Sequence, residues 1–201
     1  MLGNWMPVAS GWLGHSHKTC RQGGFTLLEL LVTVAVAGVL LGLAIPAFDQ
    51  VARRNQLAVT SNQILLAAGT ARQLAVSGNR AIAFCAGRSE VGCHGDWSLQ
   101  EWLVFEDQDR DGVFDSGERL HLESRSNSSS YLTVAANGPF RNRVVFTPTG
   151  RAETATGAFA AGRVRVCVER MPADNTIDLV LIGSGRIVTE HHDHAGRCLA
   201  P

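Results

Sequence analysis

From Leu30 to Phe48 the chain carries no charged residue, and a single carboxylate, Glu29, stands at the head of that run. An uncharged, mainly apolar stretch of roughly 18 residues or more is long enough to cross a bilayer as a helix. An ionisable group beside it is unfavourable in lipid unless it has a partner, so Glu29 calls for an opposite charge. Ahead of it come Lys18, Arg21, the pair Gly23-Gly24 and then Phe25-Thr26-Leu27-Leu28. An ordinary secretory signal peptide also joins a basic stretch to an apolar one. It has no use for an acid at the head of the apolar run, however, and no well-placed small-x-small cut follows. An unprocessed membrane anchor leaves both Gly24 and Glu29 without a role.

The segment Gly24-Phe25-Thr26-Leu27-Leu28-Glu29-Leu30 resembles the class III signal of type IV pilins and type II secretion pseudopilins. The resemblance implies that a prepilin peptidase cuts after Gly24 and methylates the new N-terminal Phe25. It also implies that Glu29 meets the N-terminal ammonium of a neighbouring subunit during assembly. Two opposite charges about 4 Å apart at an effective dielectric of about 20 attract by roughly 4 kcal/mol, enough to justify the acid. On this reading residues 1–24 are a leader, with Met6 as a second available start. Residues 25–48 are the transmembrane half of a helix, 49–78 its amphipathic half, and 79–201 a periplasmic globular domain. The expected location is the inner membrane, single-pass, and then an assembled filament.

Cysteine usage fits an exported domain. Cys20 falls in the leader, leaving Cys85, Cys93, Cys167 and Cys198, an even number facing an oxidising compartment. Four cysteines allow three connectivities. Cys85 with Cys93 closes a short loop, and Cys167 with Cys198 pins the C-terminal tail to a strand; zinc is the alternative, although no C-x-x-C spacing occurs. Lys18 is the only lysine, and without residues 1–24 arginine is slightly outnumbered by the 18 Asp and Glu. Bulk charge therefore argues against a nucleic-acid partner.

Beyond the apolar run, Leu57, Ile64, Ala68, Ala71 and Ala75 recur at helical spacing, with Arg53, Arg54, Gln63 and Arg72 on other faces. Pro46 is expected to loosen this helix rather than stop it, and Gly78-Asn79 to end it. Short strands separated by Gly, Asn, Ser and Pro follow, predicted over 80–85, 97–105, 119–123, 131–135, 143–146, 162–169, 177–182 and 186–190. Ser124 to Ser130 reads as a polar loop. The fold class is α+β, a long N-terminal helix packed on a mainly antiparallel C-terminal β domain. Trp97 and Trp102 read as core anchors whose odd spacing puts them on opposite faces of one strand.

The second half narrows the resemblance. Trp97-x4-Trp102-Leu-Val-Phe105, the acidic stretch Asp107 to Glu118, Val145-Phe146-x3-Gly150-Arg151 and a late Gly185-Arg186 resemble the GspH/FimT group of minor pilins and pseudopilins. That implies a subunit without a catalytic site, working with other pilins or pseudopilins at a filament tip or in priming. A pilus and a type II secretion machine are both open, with the late Gly-Arg and the pinned tail favouring the pilus. Some FimT-like members take up DNA through a Gly-Arg-x-Arg motif. Here Arg186 stands alone before Ile187-Val188, with Glu190 and Asp193 nearby, so DNA is not the expected partner.

Asp107, Asp109, Asp111, Asp115 and Glu118, with Gly112 between them, match the side-chain positions of a 12-residue calcium loop. Their flanks read as strands rather than helices, and an acidic hairpin turn uses the same residue types. His191, His192 and His194 beside Asp193 suit a transition metal or a solvated tail. The pairs Arg141/Arg143 and Arg163/Arg165 each fall on one strand face. No nucleophile elbow, phosphate loop or catalytic carboxylate pair is present, so no enzymatic activity and no obligatory cofactor are expected.

Overall fold

The computed structural model describes residues 24–201 apart from 110, 127 and 128, with the backbone alone for residues 43–47. All of the expected leader except Gly24 lies outside the described residues. The chain divides into two units, 1–43 and 44–201. Helix α1, Leu27–Gly78, runs through both without a break at Pro46.

In the first unit the apolar side chains from Phe25 to Leu41 are exposed. Among the described residues no helix is long and apolar enough to cross a membrane, in contrast to the expectation for residues 25–48.

In the second unit Leu57, Thr60, Ile64, Ala67, Ala68, Ala71 and Ala75 form the buried face of α1, while Val59, Leu66 and Val76 face outward. The run of alanines lets the sheets approach closely, because each small side chain fills little space above the helix backbone. The helix ends as Asn79 takes a left-handed φ of 52° and the Arg80 N–H donates to the Ala75 carbonyl at 3.2 Å.

Among the described residues eleven strands follow: β1 Ile82–Cys85, β2 Gly87–Arg88, β3 Gly92–Cys93, β4 Glu101–Glu106, β5 Leu120–Arg125, β6 Leu132–Ala136, β7 Val144–Phe146, β8 Ala152–Glu153, β9 Gly162–Val168, β10 Thr176–Leu181 and β11 Ile187–His192. They build a sheet of order β5-β4-β1-β7-β8, a second of order β11-β10-β9-β6 and the small hairpin β2-β3. The inward-facing residues of both larger sheets and the buried face of α1 share one core, in which Phe84, Trp97 and Phe140 meet edge to face.

Two sequence expectations are corrected. The strand predicted over 97–105 begins only at Glu101, because Asp96 caps a short 3-10 turn, Trp97–Leu99, and Gln100 closes it with a left-handed φ of 56°. That turn resets the period, so Trp97 and Trp102 lie in the same core rather than on opposite faces. Ser124 and Arg125 belong to β5 rather than to the polar loop, since Trp102 and Glu101 of β4 pair with them.

Cys85 is bonded to Cys93 and Cys167 to Cys198, each pair with Cα atoms 5.6 Å apart. With all four sulfurs in disulfides, zinc has no thiolates to bind. In the chain-entropy account each cross-link stabilises by a few kcal/mol, the one spanning the longer loop by more.

Candidate functional site

The N-terminal signal comes out as an open chain followed by a helix start. Gly24 is exposed, Phe25 is 82% exposed, and helical backbone begins only at Leu27. The Thr26 side-chain oxygen accepts the Glu29 N–H at 3.2 Å, and the Thr26 carbonyl accepts the first helical bond from Leu30 at 3.1 Å. Glu29 stands exposed in the first turn, where a carboxylate complements the positive end of the helix dipole. Among the described residues its carboxylate forms no ion pair, which leaves it accessible to a cation from another chain.

The acidic loop covers a second, smaller core of Ala83, Cys85, Leu103 and Phe105, with Phe114 edge-on to Phe105 at 5.8 Å. Asp107 is fully buried and meets the Arg143 Nε at 3.2 Å, while its Oδ1 accepts a long bond from the Gly112 N–H. Asp109 and Asp111 accept the N–H groups of Asp111 and Val113, and Glu118 accepts those of Gln108 and Asp115. Burial raises the pKa of Asp107 against the opposing pull of Gly112 and Arg143, with Asp109 and Asp111 adding to the rise. Burial likewise raises Glu118.

Chemically, two triads gather oxygens, Asp107-Asp109-Glu118 and Asp109-Asp111-Asp115. Hard oxygens of this kind suit calcium, yet Arg143 already supplies Asp107 with a positive charge, and hydrogen bonds within the loop account for the turn without an ion. A melting temperature that rises in millimolar calcium, and no longer does so in Asp111→Ala, would assign an ion to the loop. An unmoved melting temperature would leave it a turn pinned by Arg143.

The Arg163/Arg165 pair has a structural answer. Strands β9 and β10 pair with Arg165 opposite Asp178, on the sheet face away from the core. Arg165 grips Asp178 with two bonds of 2.7 Å and Arg163 adds one of 2.8 Å. Burial by itself would push the Asp178 carboxyl up, but the hydrogen bonds and charges of Arg165 and Arg163 outweigh it and hold the pKa below the ordinary carboxylate range.

The C-terminal tail lies over this cluster. Arg165 Nη1 donates to the carbonyls of Leu199 and Ala200, Asn175 Nδ2 donates to the Arg197 carbonyl, and Cys198 is tied to Cys167. The histidines do not converge as a metal site with Asp193. His192 turns to Asp178 and Glu190 at 3.5 Å each and stacks on His194, His191 is exposed, and Asp193 instead accepts the Ala195 N–H.

Gly150 and Gly185 meet at a junction of two turns and the helix. Arg72 Nε donates to the Gly150 carbonyl at 2.9 Å, and a Cβ on Gly185 would run into that same carbonyl oxygen. Both glycines have left-handed φ, 78° and 77°. Arg186, beside them, is exposed.

Residues 60–185 match the family described as Type II transport protein GspH. The chain belongs to the GspH family. Residues 19–45 match the prokaryotic N-terminal methylation motif, so this GspH-type minor pilin or pseudopilin carries a prepilin-type start. Its fold resembles that of the type IV minor pilin FimU of Pseudomonas aeruginosa, at 21% identity over 68% of this chain and 90% of FimU, with a TM-score of 0.50. A second crystal form of FimU aligns at 21% identity over 66% of this chain and 91% of that one, with a TM-score of 0.44.

The family match ends at Gly185, the glycine that the junction requires. The sequence offers the late Gly-Arg as a family mark and Arg186 as a DNA contact to be weighed, but not that Arg72 bonds the Gly150 turn to the helix while Gly185 packs against that turn. Asp178 was missed altogether. The available signal was Arg163-x-Arg165 on one strand and a lone acid in the apolar strand that follows.

Proposed function

We propose that this GspH-family chain is a minor subunit of a type IV pilus, made as a precursor and placed at the filament tip or in its priming complex. In this reading prepilin peptidase cuts between Gly24 and Phe25 and methylates Phe25. The start of α1 then holds the subunit in inner-membrane lipid, with residues 79–201 in the periplasm. The observation that carries it is the open Gly24-Phe25 segment ahead of a helix whose first turn bears the solitary Glu29. The uncharged run from Leu30 to Phe48 supports the anchor. A neighbouring subunit's N-terminal ammonium is the partner that suits Glu29, and other pilins are the expected company.

A minor pseudopilin of a type II secretion machine is the second reading, favoured by the description of the matching family. The pilus is preferred because the late Gly-Arg and the disulfide-pinned tail favour it, and a solved structure of similar fold is a type IV minor pilin. Deletion in the native host separates the two: loss of surface pili with secretion intact supports the first, and the reverse supports the second.

Mass spectrometry of the protein from its host should give a methylated Phe25 as N-terminus, and Gly24→Leu should remain uncut. Glu29→Gln should be inserted and cut normally, since removing a charge eases life in lipid, yet assemble fewer filaments. A native N-terminus elsewhere, or a Glu29→Gln protein that assembles like wild type, would defeat the reading.

A further inference from the structure

Thr26 has a role that the cleavage reading alone does not supply. Its carbonyl accepts the first helical hydrogen bond, from Leu30 at 3.1 Å, and its hydroxyl oxygen accepts the Glu29 N–H at 3.2 Å. Those two bonds define a helix N-cap, and Glu29 three residues on stands at capping-box spacing. Upstream of the cap, Gly24 and Phe25 are exposed and outside any regular element, and among the described residues nothing lies within 4 Å of where a Gly24 Cβ would be.

We propose that Thr26 is a positioning residue for precursor processing: by capping α1 it stops the helix short of the Gly24–Phe25 bond and keeps that bond in open backbone. The proposal rests on the reading of Gly24–Phe25 as the scissile bond. Hydrolysis adds water across that bond, leaving a carboxylate on Gly24 and an amine on Phe25. The attacking water must reach the Gly24 carbonyl carbon, and the peptidase must bind the backbone on either side. Helical backbone is already satisfied by its own bonds and has to unwind first.

Without the cap, Thr26 and Phe25 are ordinary residues that the helix can absorb, whereas Gly24 resists being helical. The helix would then begin at the scissile bond itself. The carboxylate of Glu29 is not consumed by this arrangement, because the cap uses the Glu29 backbone N–H. One residue thus sets the cut while the acid remains for assembly.

The test uses the full-length precursor expressed with prepilin peptidase, following conversion of precursor to mature chain by mass over time. Thr26→Val keeps the shape of the side chain and removes the acceptor oxygen; Thr26→Ser and Thr26→Asn change the shape and keep a cap. Conversion of the Ser and Asn variants is expected to stay within about twofold of wild type. The Val variant should slow about fivefold, the ratio that corresponds to a cap of about 1 kcal/mol at 25 °C. A Val variant cut as fast as wild type overturns the proposal. So does an Asn variant as slow as Val, since the peptidase would then be reading side-chain shape. A wild-type precursor that stays uncut defeats the cleavage reading itself, and this proposal with it.

Discussion

Replacing Asp178 by asparagine is expected to cost about 3–5 kcal/mol, because it leaves the Arg165 guanidinium buried without its counter-charge. For a domain of this size the melting temperature should fall by roughly 6–20 °C. The geometry fixes the asymmetry between the partners. Arg165 is buried, its side chain 9% exposed, and makes two bonds to the acid, whereas the Arg163 side chain is 35% exposed and makes one. Arg163→Ala should therefore cost about 1 kcal/mol, in line with a half-solvated ion pair. Thermal melts of the three proteins at one pH decide the matter; an Asp178→Asn variant as stable as wild type would mean that the cluster contributes no stability.

The same cluster sets the sign of the pH dependence. Asp178 and Glu106 have depressed pKa values in the fold, the latter because Arg80 and His121 overcome the effect of burial. Their stabilisation is present above the unfolded carboxylate range, near pH 4, and is lost as pH falls through their folded values. Asp107 and Glu118 are raised, so their contribution is present at low pH and is lost as pH rises through their folded values. The acid loss of stability thus belongs to the Asp178 and Glu106 clusters. Asp178→Asn should flatten that limb below about pH 4 and leave the opposing loop contribution in place.

What was legible in the chain followed from local rules. The buried face of α1 was readable from residues 57 to 75 because helical spacing depends on one segment only, and the eight predicted strands reappear within a few residues of their expected ends. Strands β2, β3 and β8, of two residues each, have no periodicity to read. The turn at Trp97 was hidden because a left-handed Gln100 is a rare state that no side chain announces. Charge partners were harder still. Arg141 and Arg143 read as a pair on one strand face, but Arg141 lies in a 3-10 turn and Arg143 is buried against Asp107. Such pairings depend on which loop folds over which sheet, and that information is spread over distant segments.

Gly185→Ala is expected to destabilise by about 3 kcal/mol or more, since the new methyl both meets the Gly150 carbonyl and sits on a backbone with φ of 77°. Arg72→Ala should cost less, about 1 kcal/mol, because it removes one hydrogen bond and leaves the two turns free to stay in contact. Arg186→Ala should lie within about 0.5 kcal/mol of wild type, because its side chain, although beside the junction, is exposed. The three together separate a structural role for the late Gly-Arg from a binding role. If that motif serves the fold, stability tracks position 185, and affinity for duplex DNA stays weak in every variant. Were the exposed arginine instead a phosphate contact, Arg186→Ala would weaken DNA binding with melting unchanged, and the slope of affinity against salt would fall by about one charge. Ile187 and Val188 follow Arg186 where a second arginine would extend a phosphate-binding run, and acidic Glu190 comes next, so the expected loss is in the fold and not in the ligand.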